Sequence, residues 1–316
     1  MITVVVKAKT MVAENVCHLV LEPMDGNTLP RWEPGAHIQL QLTPDINRSY
    51  SLCGALNASH YEIAVLRDPM SRGGSSFVHD KLNLNSELQI SEPKNLFPLN
   101  SQINPCVFFA AGIGITPIIP MIERCMNEGR STVLYYCART PSEAAFLHQL
   151  QVTMPTDALH VHFTQEHEGK RLDIPTCFKH ITHESHVYVC GPSRFIDDVM
   201  ANGKRIGLPE PQLHTEYFAA MHHETSADHE FEVQLVSSGA IYTVSQDESI
   251  LSTLEDNDIF IPVSCEEGIC GTCVIGLVEG EADHRDVYLS DEEKASMKHI
   301  TPCCSRARSK RLVLDI

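Results

Sequence analysis

Over the first hundred residues, apolar positions come in short runs that alternate with polar ones and are cut by Pro, Gly, Asn and Asp. Met1–Ala8, Val16–Leu21, His37–Leu42, Tyr61–Leu66 and Leu88–Ile90 therefore read as strands, with Pro34-Gly35 as the turn before the third. Many short strands at regular spacing predict a small antiparallel β-barrel. After Asn104-Pro105 the pattern shifts to continuous apolar runs, each followed by turn residues and a helical period. Cys106–Ala111 suits a strand buried on both faces. It leads into Gly112-Ile-Gly114-Ile-Thr116-Pro117 and a helix over about Ile118–Asn127. Thr132–Cys137, Leu159–Phe163 and Val187–Cys190 repeat the strand, with helices expected near Glu143–Leu150 and from Ser193. Such strand–helix repeats predict an α/β domain with an open parallel sheet.

A short strand over Leu213–Phe218 closes that sheet, and Ala219–Glu230 is polar and without period, as a linker is. Phe231–Val236 and Ala240–Val244 then form a hairpin, and a helix over about Ser249–Glu255 has Asp247 or Ser249 as its cap. Val274–Val278 is a strand, Leu289–Lys298 is helical and Leu312–Asp315 closes a second, mixed sheet. The expected organisation is a multidomain chain: a barrel over 1–100, an α/β domain over 101–222, a linker over 223–230 and an α+β domain over 231–316.

The 316 residues are enough for two or three cores, and 43% hydrophobic with 21% charged content is that of an ordinary globular protein. No apolar run approaches the roughly 18 residues of a membrane span. Met1–Lys7 reads as a strand, not a signal peptide, so a cytoplasmic location with no membrane partner is expected. The net charge of −17 argues against nucleic acid, which requires a basic face. From Phe231 to Ile316 sixteen acidic residues stand against seven Lys and Arg. Such a surface would steer a basic partner, or simply keep the domain soluble.

Of the twelve cysteines, Cys17, Cys53, Cys106, Cys125, Cys137, Cys177 and Cys190 show no ligand spacing and read as small buried hydrophobes. The others are different. Cys265, Cys270 and Cys273 are spaced C-x4-C-x2-C, and Cys303-Cys304 follows thirty positions later. This is the plant-type spacing for a [2Fe–2S] cluster, whose four terminal positions take thiolates. Gly268 and Gly271 give the loop its backbone freedom. Zinc, the rival metal, more often pairs two short knuckles, and only one stands here. The spacing leaves Cys303 and Cys304 equally open as the fourth ligand.

Three further stretches carry chemistry. In Arg48-Ser49-Tyr50-Ser51 an extended chain puts Arg48 and Tyr50 on one face, where a guanidinium can meet a phosphate and a phenol can lie against a flat cofactor. Ser71-Arg72-Gly73-Gly74-Ser75-Ser76 before a helix near Phe77 can cradle an anion, although a plain turn explains the glycines as well. Gly112-Ile-Gly114 and Cys190-Gly191-Pro192, both at strand ends, would line a dinucleotide crevice. His160, His162, His167, His180, His183 and His186 show no metal spacing, and no Ser-His-Asp or H-E-x-x-H arrangement supports hydrolysis.

Arg48-Ser-Tyr-Ser-Leu-Cys53, Arg72-Gly-Gly-Ser75 and Pro93-Lys-Asn-Leu-Phe-Pro98 together resemble phthalate dioxygenase and vanillate O-demethylase reductases, within the ferredoxin–NADP reductase superfamily. Gly112-Ile-Gly-Ile-Thr-Pro117, Cys190-Gly-Pro192, Asp283-His-Arg-Asp286, Leu289-Ser290-Asp291 and Thr301-Pro-Cys-Cys-Ser-Arg306 extend the resemblance, in the same order, to Asp315. It implies an FMN-binding barrel, with Arg48, Ser49, Tyr50, Ser51, Gly73, Gly74 and Ser75 at the flavin and Phe218 near it. The residues alone do not separate FMN from FAD. It also implies a nicotinamide site at Gly112, Gly114, Thr116, Cys190, Gly191 and Pro192. Arg139, the single basic residue after the second strand, favours NADH over NADPH. The last domain resembles a β-grasp-like plant-type ferredoxin, and a ligand preceding x-Ser-Arg implies Cys303 beside Cys265, Cys270 and Cys273. The implied activity passes electrons from NADH through FMN and [2Fe–2S] to a terminal oxygenase with a Rieske cluster, docked transiently by a monomer. Another monooxygenase or a ferredoxin pool would be alternative acceptors, and an iron–sulfur redox sensor is the alternative of another class.

Overall fold

The computed structural model describes residues 1–24, 26–44, 46–71, 73–218, 228–263 and 265–316. Arg72 and residues 223–227 of the expected linker lie outside these. The chain divides into two compact units, Met1–Glu216 and Tyr217–Ile316.

The first unit begins with strands β1 (Ile2–Ala13), β2 (Val16–Pro23), β3 (Ala36–Thr43), β4 (Ile46–Ser51) and β5 (Tyr61–Leu66). Helix α1 (Gly74–Asp80) and strands β6 (Glu87–Ile90) and β7 (Lys94–Asn95) follow. The strands pair in the order β4-β3-β6-β1-β2-β5, with β7 beside β3, and neighbouring strands run antiparallel throughout. A bridge between Leu52 and Ile63 joins the two ends of this path, which closes the barrel and leaves no long free edge. Alternation along the strands aims Val4, Val6, Leu19, Leu21, Ile38, Leu40, Ile63 and Ile90 inward, all with no exposed surface. Strand β1 runs five residues past the expected Ala8, because register shifts at Val6/Ala8 and Met11/Ala13 absorb the break in alternation.

The same unit continues with β8 (Cys106–Ala111), a 3-10 turn at Gly112–Ile115 and α2 (Ile118–Asn127). Then come β9 (Thr132–Ala138), α3 (Leu147–Thr153), β10 (Leu159–Phe163), α4 (Ile174–Cys177), β11 (His186–Cys190), α5 (Ser193–Arg205) and β12 (Leu213–Glu216). The sheet is wholly parallel in the order β10-β9-β8-β11-β12. Strand order therefore reverses between β8 and β11, and the crevice beyond their C-terminal ends is where such sheets bind ligands. Phe108, Phe109, Tyr136 and Tyr188 are fully buried. Barrel residues Val16, Cys53, Ala64 and Phe97 join Phe108, Ile118 and Tyr188 in one apolar cluster, so barrel and sheet share a core. The helix expected at Glu143–Leu150 is displaced. Pro141 starts a 3-10 turn, and Phe146 adopts a left-handed φ of 60°, so the helix begins only at Leu147.

The second unit contains β13 (Phe231–Leu235), β14 (Ile241–Val244), α6 (Ile250–Glu255), β15 (Ile275–Glu279) and β16 (Ala282–Asp283). It ends with α7 (Asp291–Ser296), β17 (His299–Ile300), β18 (Arg306–Ala307) and β19 (Arg311–Asp315). Its main sheet is mixed, in the order β14-β13-β19-β15-β17, with β13 and β19 parallel. Phe231, Val233, Leu254, Ile300, Leu312 and Leu314 form its core, as in a β-grasp domain. Ser249, not Asp247, caps α6, in a reciprocal box with Ser252. Helix α7 is shorter than expected because Met297 turns left-handed. The seven cysteines without ligand spacing are all buried. No helix among the described residues is long and apolar enough to cross a membrane.

Candidate redox sites

The cysteine loop of the second unit brings its thiols together, Cys265 against Cys270, and Cys273 against Cys303, which also meets Cys304. Cys270 N–H and Glu267 N–H both donate to Cys265 Sγ, each at 3.4 Å, and Cys273 Sγ lies 3.3 Å from Cys303 Sγ. Within these pairs, hydrogen bonding from Cys265 and from Cys303 holds the Cys270 and Cys273 thiols below the ordinary thiol range. Thiolate is the ligand form, and N–H donors aimed at sulfur stabilise it. Among the described residues no three His, Cys, Asp or Glu side chains form a single-ion site. Cys265 with Cys270, and Cys273 with Cys303, instead suit two irons with two thiolates each, and the residues present fit a [2Fe–2S] cluster.

Cys304 also hydrogen-bonds Cys303, and its other contacts are with Thr301 and Ser305. Its Sγ lies 3.4 Å from Thr301 Oγ1, and a Cβ on Gly268 would stand 2.5 Å from that sulfur. Behind the loop, Asp286 is 1% exposed and accepts from Leu289 N–H at 2.7 Å and from Thr301 Oγ1 at 3.2 Å. Val287 N–H donates to Gly268 O at 3.0 Å. The Asp283–Asp286 segment thus ties the loop to the strand end that carries Cys303. Gly268 and Gly271 both have φ of 69°, and a Cβ on Gly271 would overlap the Tyr288 ring. In the sequence Asp286 is no more than one position of a motif. Its function as a buried tie becomes visible only once Thr301 is brought beside it.

In the barrel, β3 and β4 pair Leu40 with Arg48 and Ile38 with Tyr50, which places Arg48 and Tyr50 on one face. Burial pushes the Tyr50 phenol up to about 12, against the pull of Arg48. Gly74 sits directly under Arg48, since a Cβ there would meet Arg48 Cγ at 2.7 Å, and Gly73 has a left-handed φ of 91°. Backbone and guanidinium can therefore close on one anion. Ser75 Oγ accepts from Asp68 N–H at 3.1 Å, so in this structure its hydroxyl shapes the loop. Ser49 is exposed, and Phe218 is exposed and falls in the second unit.

At the crevice of the parallel sheet, Gly112 has φ of 56°, and a Cβ on Gly114 would overlap the Cys190 carbonyl. The two strand-end motifs therefore meet at van der Waals distance. Thr116 is buried and its hydroxyl donates to Ile113 O at 3.0 Å, so it locks the 3-10 turn. Pro192 precedes α5 with extended backbone, and Arg139 Nε donates to Glu143 Oε2 at 2.7 Å. One residue outside the expected set belongs with this site. Glu216, at the end of β12, accepts from Ser51 Oγ at 3.4 Å, and burial pushes its carboxyl up to about 8. Its charge in turn helps raise the buried Cys190 thiol, after burial itself. Barrel strand and sheet strand thus meet at Ser51, Glu216 and Cys190. A lone Glu at the end of a predicted strand gives no signal of this.

The thiol pairs and the strand-end crevice agree with comparisons to known proteins. Residues 108–201 match the oxidoreductase NAD-binding domain and residues 233–308 the 2Fe-2S iron–sulfur cluster binding domain. The chain is 42% identical over 317 residues to a vanillate O-demethylase oxidoreductase of Pseudomonas sp. strain HR199, covering 100% of each. It is 39% identical to a carnitine monooxygenase reductase subunit of Acinetobacter pittii, over 92% of this chain and 95% of that one. A solved phthalate dioxygenase reductase, described as a modular structure for electron transfer from pyridine nucleotides to [2Fe–2S], superposes with TM-score 0.80 at 34% identity, over 99% of this chain and 97% of that one. An oxidoreductase with NAD-binding and ferredoxin domains in this order, the chain belongs to the vanillate O-demethylase oxidoreductase family.

Proposed function

We propose that this chain is the reductase of an aromatic O-demethylase, taking electrons from NADH and delivering them singly to a terminal oxygenase that carries a Rieske cluster. When bound, FMN accepts the two electrons of a hydride and a [2Fe–2S] cluster passes them on one at a time. The chain's own residues do the positioning. Arg48, with the Gly73–Gly74 backbone, holds the flavin phosphate, and Tyr50 and Ser51 border the ring, with Ser49 and Ser75 shaping the segments on either side. Gly112, Gly114 and Thr116 form the turn that admits the dinucleotide pyrophosphate, and Cys190, Gly191 and Pro192 form the opposite wall, with Arg139 at its edge. Glu216, kept protonated near neutral pH, leaves the wall uncharged beside a hydride path. Cys265, Cys270, Cys273 and Cys303 are the cluster ligands, and Phe218 belongs with the flavin residues. In this reading the boundaries are 1–100, 101–222 and 231–316 around a linker at 223–230, in a cytoplasmic monomer that meets its oxygenase transiently.

The observation that carries the reading is the gathering of the cysteine sulfurs, Cys265 against Cys270 and Cys273 against Cys303, which suits a one-electron carrier of two irons. A purified oxygenase of the vanillate demethylase type supplies the test. With this chain and NADH it is expected to demethylate vanillate, with NADH consumed in proportion. Cytochrome c reduction without demethylation would remove the aromatic partner and leave a reductase for another acceptor. No NADH-driven cytochrome c reduction would remove the reductase itself.

A further inference from the structure

In open parallel sheets a dinucleotide lies across the strand ends, with its adenosine ribose by the turn after the second strand. Here that turn is Arg139-Thr140-Pro141-Ser142-Glu143, directly after β9. Arg139 is its only Lys or Arg, with its side chain 72% exposed. A free guanidinium at this place would attract the extra phosphate of NADPH. It is not free. Its Nε donates to Glu143 Oε2 at 2.7 Å, and the Glu143 side chain is only 23% exposed.

The backbone fixes the carboxylate there. Glu143 N–H donates to Thr140 O at 3.2 Å and closes the 3-10 turn that Pro141 opens. A second carboxylate arrives from the barrel hairpin. Ser142 Oγ donates to Glu14 Oε2 at 3.2 Å, while Glu14 N–H donates to Ser142 O at 2.7 Å. One carboxylate therefore holds the guanidinium and a second is pinned to the same turn through Ser142, so turn and Glu14 together carry one negative charge in excess. A ribose 2′-hydroxyl is neutral and meets no penalty in such a place. A 2′-phosphate brings charge of the repelled sign, and the turn's one cation is already paired.

We propose that Glu143 is the specificity-determining residue for the nicotinamide substrate: by pairing Arg139 it excludes the 2′-phosphate and selects NADH. This rests on the reading of the α/β domain as the dinucleotide site. It moves the basis of selection from a scarcity of basic residues to a placed acidic one.

The test is titration calorimetry of the purified holoprotein with AMP and with 2′,5′-ADP, which differ only in the 2′-phosphate. In Glu143→Gln the ratio of the two dissociation constants is expected to shift about tenfold toward 2′,5′-ADP, which is about 1.4 kcal/mol. The shift should shrink as salt rises, because the charges are exposed. The double variant Arg139→Ala/Glu143→Gln should lose the gain, since the released guanidinium is its source. The ratio of kcat/KM for NADPH over NADH in cytochrome c reduction should follow the same order. An unchanged ratio in Glu143→Gln, or an equal gain in the double variant, would overturn the proposal. If the wild type binds neither nucleotide, the dinucleotide reading of this strand end fails first, and the proposal with it.

Discussion

Glu216 gives a prediction whose sign and size follow from its setting. Burial raises its carboxyl from an ordinary 4.5 to about 8, with only the Ser51 hydroxyl at 3.4 Å opposing. The unfolded chain loses this proton near the ordinary value, while the folded chain keeps it until about 8. Between those limits the native state binds the extra proton, so stability falls as pH rises. It is fully present below about 4.5 and lost as pH passes through 8. A tenfold difference in proton affinity between the folded and unfolded chain is worth about 1.4 kcal/mol. The full span would approach about 5 kcal/mol, and because Glu216 is only half-buried as a residue we expect on the order of 2–3 kcal/mol. Glu216→Gln keeps the shape and the hydrogen bond but cannot ionise. Relative to wild type it should grow steadily more stable from about pH 5.5 to about pH 8.5. Urea midpoints for loss of flavin absorbance, read across that range for both proteins, measure the difference. Parallel curves would refute the reasoning, and a variant that gains stability toward low pH would reverse its sign.

The other predictions concern the loops. Gly114→Ala drives a methyl into the Cys190 carbonyl, so NAD⁺ affinity should fall at least about tenfold by calorimetry while the flavin and cluster spectra persist. Asp286→Ala strands the Leu289 N–H and the Thr301 hydroxyl in a buried place. It should cost about 3 kcal/mol, seen as a lower urea midpoint for cluster bleaching, and Asp286→Asn should cost less. Cys303→Ser should lose iron and acid-labile sulfide, whereas Cys304→Ser, whose sulfur meets Cys303 on one side and Thr301 and Gly268 on the other, should keep both. Cluster retention in the Cys303 variant would move the fourth ligand to its neighbour.

Much of this architecture could be read from alternation and punctuation alone. Tyr61–Leu66, Cys106–Ala111, Ile118–Asn127 and Leu159–Phe163 begin and end where the pattern places them, because each is an apolar or periodic run bounded by turn residues. The cysteine spacing announced its chemistry because ligand spacing is local. What stayed hidden was set by distant packing. The helix after β9 starts late because Phe146, whose ring lies 5.7 Å from that of His18 in the barrel, takes a left-handed conformation that no local preference predicts. Glu216 and Asp286 look like ordinary strand and loop acids until Ser51 and Thr301, 165 and 15 positions away, are folded against them. Glu143 reads as a helix-start residue in the sequence and becomes informative only through its bond to Arg139.

The proposed function demands an ordered transfer from nicotinamide to cluster with the flavin required between them. Its most direct test is anaerobic addition of NADH to the purified protein, followed by low-temperature EPR of the cluster, with and without the flavin. A reduced [2Fe–2S] signal is expected in the flavin-replete protein, none after the flavin is stripped, and recovery when FMN is restored. A cluster reduced by NADH at the same rate without flavin, or never reduced at all, would contradict it.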